Sequence, residues 1–87
     1  MLSPNSKANY SLRTATATIK TGSGKLIGFY VNSTTGGTMV FHDATSAANA
    51  VTGTITPAIG WHFLPMPFRT GLHLVIANTI SVTLIYE

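Results

Sequence analysis

Residues 25–42 read KLIGFYVNSTTGGTMVFH and combine two apolar runs with a glycine-rich centre. The runs at 25–32 and 38–42 have the composition of strands, because branched and aromatic side chains suit a pleated surface. The segment 33–37 has the length and composition of a hairpin loop. Gly28, inside the first run, predicts a bulge or the close approach of another part of the chain. We therefore expect two short strands joined by a loop.

Similar runs continue on both sides of this segment. They alternate or are rich in branched residues, and they lie at 11–19, 51–56, 61–68, 72–77 and 80–86. Two prolines in WHFLPMPF place residues 61–68 in an edge strand or an extended linker. Residues 43–50 are too short and too weakly patterned for a helix. The pattern predicts an all-β fold, a small antiparallel β-sandwich or jelly-roll-like barrel of about seven short strands.

The length of 87 residues suits one domain. Residues 1–10 are polar and predict an N-terminal arm, followed by a single β-sandwich domain at 11–87. Without cysteine, neither disulfides nor a thiolate metal site supports so small a core. Only 8% of the residues are charged, whereas the surface of a free monomer is about a quarter charged. These features favour a protein that is stabilised by burial against other subunits.

The net charge of +3 comes from five basic residues, no two of them adjacent in sequence. A nucleic-acid-binding surface needs clustered bases, so we expect no specific nucleic acid partner. No run approaches the roughly 20 apolar residues that span a bilayer, and the N-terminus lacks the apolar core of a signal peptide. We expect no membrane association and synthesis in a cytoplasm.

Few residues suit catalysis or metal binding. The only acids are Asp43 and Glu87, so a carboxylate pair for acid–base chemistry is not expected. The sequence TGSGK at 21–25 lacks the earlier glycine and the following hydroxyl of a phosphate-binding loop, and is interpreted as a turn. His42 adjoins Asp43, but neighbouring strand residues point to opposite faces. We predict no enzyme activity, no cofactor and no metal site, although a histidine on a symmetry axis is an alternative.

The largest side chains cluster within residues 61–68. Trp61, Phe63, Met66 and Phe68 are the candidate subunit-interface residues, because aromatic side chains dominate the energetics of interfaces. The alternative is that they fill the domain's own core, and we expect this for two of the four.

Residues 20–86, about three quarters of the chain, resemble small all-β virion proteins of tailed bacteriophages. The resemblance runs through GFYVN at 28–32, TTGG at 34–37, VFHD at 40–43, TITPA at 54–58, PFRTGL at 67–72 and ISVTLIY at 80–86. It implies a small β-sandwich on the phage particle, often a trimeric capsid decoration (cement) protein. It brings no catalytic residues.

The function expected from this resemblance is that of a decoration protein on the capsid surface of the virion. It would act as a homo-oligomer, a trimer, seated where subunits of the major capsid protein meet, and would stabilise the assembled head. Two alternatives remain. One is a tail, neck or fibre component, and the other is a carbohydrate- or host-binding β module in which Trp61 and Tyr30 stack on the ligand.

Overall fold

The computed structural model describes residues 8–87, which form one antiparallel sheet of five strands and no helix. The strands are β1 (Asn9–Arg13), β2 (Ala17–Thr21), β3 (Gly24–His42), β4 (Gly60–Phe68) and β5 (Gly71–Tyr86). The all-β, antiparallel prediction is confirmed. Residues 1–7 of the expected arm lie outside the described residues, whereas Asn9 and Tyr10, assigned to the arm from the sequence, belong to β1.

Strands β3 and β5 form the centre of the sheet, in the order β1-β5-β3-β4. β1 and β2 follow one another along the same side of β5, where Arg13 pairs with Val82 and Ala17 pairs with Leu74. β4 pairs only with β3 among the described strands, so it is an edge strand as its two prolines predict.

The structure has five strands rather than about seven. Two pairs of predicted strands are each continuous, the strand predicted at 51–56 does not form, and the one predicted at 11–19 is divided into β1 and β2. Residues 25–32 and 38–42 are the two halves of β3, and residues 72–77 and 80–86 are the two halves of β5. Both halves of β3 pair with β5, with register shifts between Val31 and Ser33 and between Thr35 and Gly36. The predicted hairpin at 33–37 is therefore wrong.

Residues 33–37 do not form a hairpin loop within β3. They lie at a bend that β3 shares with its partner strand β5. Gly36 and Asn78 both have positive φ angles, 63° and 61°, a conformation that glycine and asparagine adopt most readily. The side-chain Nδ2 of Asn78 donates a hydrogen bond of 2.9 Å to the carbonyl oxygen of Gly36. Gly36 on β3 and Asn78 on β5 thus both have turn-like backbone angles, and the two residues are neighbours across the paired strands.

The bend folds β3 back on itself. The rings of Phe29 and Phe41 lie 5.7 Å apart, whereas a straight strand would separate two residues twelve positions apart by about 40 Å. The two halves of the sheet therefore enclose one apolar core. Its buried members are Ile19, Leu26, Phe29, Val31, Met39, Phe41, Phe68, Leu72, Leu74, Ile80, Val82 and Leu84.

The strand predicted at 51–56 is reduced to one isolated bridge to β3, Met39 with Ile55, and a second bridge joins His42 to Ala50 just before the predicted range. Between them, the backbone N–H of Phe41 donates to the side-chain hydroxyl of Thr52 at 3.1 Å. A side-chain acceptor thus replaces a backbone acceptor, and the regular ladder is interrupted. The segment still satisfies hydrogen-bonding groups on this edge of β3.

Asp43 joins the end of β3 to the turn between β4 and β5. Its Oδ1 accepts hydrogen bonds from the backbone N–H groups of Thr70 at 2.8 Å, Arg69 at 3.0 Å and Gly71 at 3.3 Å. The bond from Thr70 is the main reason that the pKa of Asp43 is lowered; partial burial opposes it, and the other two bonds and the charge of Arg69 act with it. One of the two acids thus has a structural role.

This arrangement predicts a specific loss of stability in acid. Because the pKa of Asp43 is lower in the folded protein than in the unfolded chain, its contribution is complete above about pH 4–5 and is lost as the pH falls through the folded-state value. We expect the free energy of unfolding, measured with urea, to fall between pH 6 and pH 3 more steeply for the natural chain than for Asp43→Asn. Equal slopes for the two proteins would contradict the assigned role.

Candidate interaction surface

The side chains of β4 alternate between the core and solvent. Trp61 and Phe63 point outward and are 48% and 69% exposed. Met66 packs against the core and Phe68 is buried within it. Two of the four candidate interface residues, Met66 and Phe68, therefore contact the domain's own core, as expected for two of them; a subunit interface at any of the four stays a prediction.

The pairing of four strands places further apolar side chains beside these two. Cross-strand partners lie on the same face of a sheet, and the register gives two adjacent rows. One row is Leu12, Thr83, Tyr30 and Trp61, and the other is Tyr10, Ile85, Gly28 and Phe63. We call these eight residues the aromatic face. It lies on the side of the sheet opposite the core.

Most of the exposed large hydrophobic residues of the described chain lie on the aromatic face. Seven large hydrophobic residues are exposed among residues 8–87, and all but Val51 and Ile59 belong to it. At about 200 Å² for a fully exposed large side chain, the five on the face present roughly 600 Å². The largest apolar patch of a typical soluble monomer is about 300–600 Å². The aromatic face is therefore large enough to indicate a binding surface.

Trp61 is held in place by Gly28. A Cβ atom at position 28 would meet the carbonyl oxygen of His62 and would lie 2.8 Å from both Cζ2 and Cη2 of Trp61. The sheet register also shifts between Leu26 and Gly28. Both the bulge and the close approach predicted for Gly28 are confirmed. The indole thus packs against backbone on one side while half of Trp61 stays exposed.

The aromatic face has no charged member. Its one aliphatic hydroxyl, that of Thr83, accepts a hydrogen bond of 3.1 Å from the side-chain Nδ2 of Asn32. Lys25 and Glu87, which have opposite charges, pair through backbone hydrogen bonds beyond the second row. A ligand on this surface would therefore meet mostly aromatic and aliphatic groups.

Tyr10, Leu12 and Ile85 also belong to this surface, although the sequence did not identify them as interface residues. Tyr10 and Leu12 are 79% and 62% exposed, and Tyr10 falls within the polar arm that the sequence predicts. The signal that could have found them is the alternation of Tyr10 and Leu12 with Ser11 and Arg13, which extends the strand pattern toward the N-terminus. Their position beside Ile85 and Thr83 depends on β1–β5 pairing, which no local pattern specifies.

Each of the three histidines has a hydrogen-bonding partner. These ring-nitrogen contacts are His42 with Ala48 O, His62 with Ala58 O and His73 with Thr18 Oγ1. The rings of His42 and His73 lie 6.0 Å apart, and burial, followed by the charge of His42, lowers the pKa of His73. Residues 8–87 contain no group of three or more His, Cys, Asp or Glu side chains placed to hold a metal ion.

The TGSGK segment connects β2 to β3 as a turn. Gly22 has a φ of 91°, and its N–H donates to the carbonyl oxygen of Thr70 at 2.9 Å. The chain enters β3 at Gly24, so an extended strand follows where a phosphate-binding loop would require a helix.

No helix among the described residues is long and apolar enough to cross a membrane. Comparisons with protein-family models, with curated proteins and with solved structures give no match to this chain.

Proposed function

We propose that this chain is a structural, non-catalytic protein that assembles with copies of itself and with other protein subunits. The observation that carries the proposal is the uncharged aromatic face. The setting we propose is the head of a tailed bacteriophage, as the resemblance of residues 20–86 implies. There the protein decorates the capsid surface and binds the major capsid protein.

The composition of the chain supports an assembled state. The chain has no cysteine and few charged residues, and a domain of this size has a thin margin of stability. Covering the aromatic face removes apolar surface from water, at about 25 cal/mol for each Å² buried. We propose further that the bent sheet acts as a β-sandwich, in which the two halves of β3 and β5 supply the two layers.

Decoration stabilises a shell by mass action. A protein that binds only the assembled shell stabilises it by RT ln(1 + [L]/Kd), about 2.7 kcal/mol per site at a concentration of one hundred times Kd. The sum over many sites on one shell is large. This mechanism needs a binding surface but no reactive group. It is consistent with the carboxylate of Asp43 being occupied by hydrogen bonds from backbone N–H groups.

The test is sedimentation of the full chain with expanded phage heads that lack their decoration protein. We expect saturable binding and a rise in the temperature at which the heads disrupt. Particle imaging should place the bound protein across the icosahedral lattice, whereas density at one vertex would favour the tail, neck or fibre alternative. Failure to bind heads at concentrations that saturate a known decoration protein would contradict the proposal.

A carbohydrate-binding role is the second candidate, because Trp61 is fixed against Gly28 next to Tyr30 and resembles a stacking platform. Sugar hydroxyls also need hydrogen-bonding partners, and the face offers few: the hydroxyls of Thr83 and the two tyrosines and the indole N–H of Trp61. Saturable quenching of Trp61 fluorescence by an oligosaccharide would favour this candidate over assembly.

A further inference from the structure

We infer that the aromatic face is the surface through which two copies of this chain associate, face to face, about a two-fold axis. The inference deepens the proposed assembly function, on which it rests, by naming the partner of this surface as a second copy. It also replaces the trimer implied by the resemblance with a dimer.

The size of the surface fits this partner. A standard interface buries about 800 Å² on each side, and the five large exposed side chains supply roughly 600 Å² before Ile85 and Thr83 are included. The centre of such an interface is depleted of charge and enriched in aromatic residues. The aromatic face has both properties, since it contains two tyrosines, a tryptophan, a phenylalanine and no ionised group.

The symmetry follows from the number of apolar patches. A ring such as a trimer needs two different patches that fit each other, whereas a two-fold dimer uses the same patch twice. On residues 8–87 the remaining exposed large hydrophobics, Val51 and Ile59, lie in the segment before β4 and outside the paired rows. The described surface therefore offers one extended patch, which favours the two-fold arrangement.

Trp61 lowers the cost of forming this contact. Binding normally loses the rotational freedom of each side chain that becomes fixed. The indole of Trp61 already packs against Gly28 in the single chain. It therefore acts as a preformed anchor, and Phe63, two residues further along β4, extends the same apolar surface.

The test is sedimentation velocity of the full chain over a wide range of concentration. We expect a species of twice the 9.2 kDa chain mass. Phe63→Ser, and separately Leu12→Ser on the opposite edge, should raise the dimer dissociation constant at least tenfold, with the circular dichroism spectrum unchanged. Val51→Ser is the matched control, because Val51 is exposed outside the face, and it should leave the constant unchanged.

Several results would overturn the inference. They are a monomer at every concentration, a trimer, or a dimer that both Phe63→Ser and Leu12→Ser leave intact. A dimer that does not bind phage heads would refute the proposed setting alone, whereas a monomer that binds heads would refute the dimer alone.

Discussion

Phe29→Ala is expected to lower the free energy of unfolding by about 3–5 kcal/mol, which is most of the stability of a small domain. The ring is 2% exposed, lies 5.7 Å from Phe41 and stacks on His62 at 5.0 Å. The ring of Phe29 thus connects the first half of β3 to two neighbours. These are the second half of β3, through Phe41, and β4, through His62. Its loss leaves a cavity between the two halves of the sheet.

The neighbouring residue provides the matched control. Tyr30 follows Phe29 on β3 but faces the opposite side of the sheet and is 46% exposed. Tyr30→Ala should cost about 1 kcal/mol or less when urea unfolding is followed by circular dichroism at a concentration where the protein is monomeric. Similar losses for the two variants would mean that Phe29 does not lie in the core.

Gly37→Ala is the second substitution with a large expected effect, a loss of about 3 kcal/mol. A Cβ atom at position 37 would lie 2.6 Å from both the carbonyl oxygen of Thr79 and the Cβ of Ile80. Both atoms are held by β5, and neither is the end of a flexible side chain. The added methyl group would therefore push β3 and β5 apart at their bend.

Gly53→Ala is the control for this effect. A Cβ atom at position 53 would meet no heavy atom within 4 Å, and its backbone needs no positive φ. Replacing such a glycine restricts the unfolded chain and leaves stability unchanged or slightly higher. Thermal unfolding of the two variants should therefore differ by many degrees. Equal midpoints would show that the close packing at the bend is absent.

The strand composition of the chain could be predicted from sequence, but the continuity of the strands could not. Gly36 and Asn78 do adopt turn-like backbone angles, as their residue types indicate. Whether two such positions end strands or bend them together depends on which strands pair. That pairing links Gly36 to Thr79, a distant part of the chain, and no local pattern contains it.

Only those residues of the aromatic face that lie together on one strand, Trp61 and Phe63 on β4, could be predicted from the sequence. A period of two along β4 places Trp61 and Phe63 on one face and Met66 and Phe68 on the other, so the sequence already separates these pairs. The contribution of Tyr10 depends instead on the pairing of β1 with β5. Surfaces built across strands need the register, which is set by non-local contacts.

The most direct measurement uses Trp61, the only tryptophan in the chain and a member of the aromatic face. As protein concentration increases, its fluorescence maximum should shift to shorter wavelength, and acrylamide should quench it less, because a second copy removes the indole from water. The change should follow the dimer fraction measured by sedimentation and should move to higher concentration in Phe63→Ser. A spectrum and a quenching constant that stay the same while dimers form would contradict the assignment of this face.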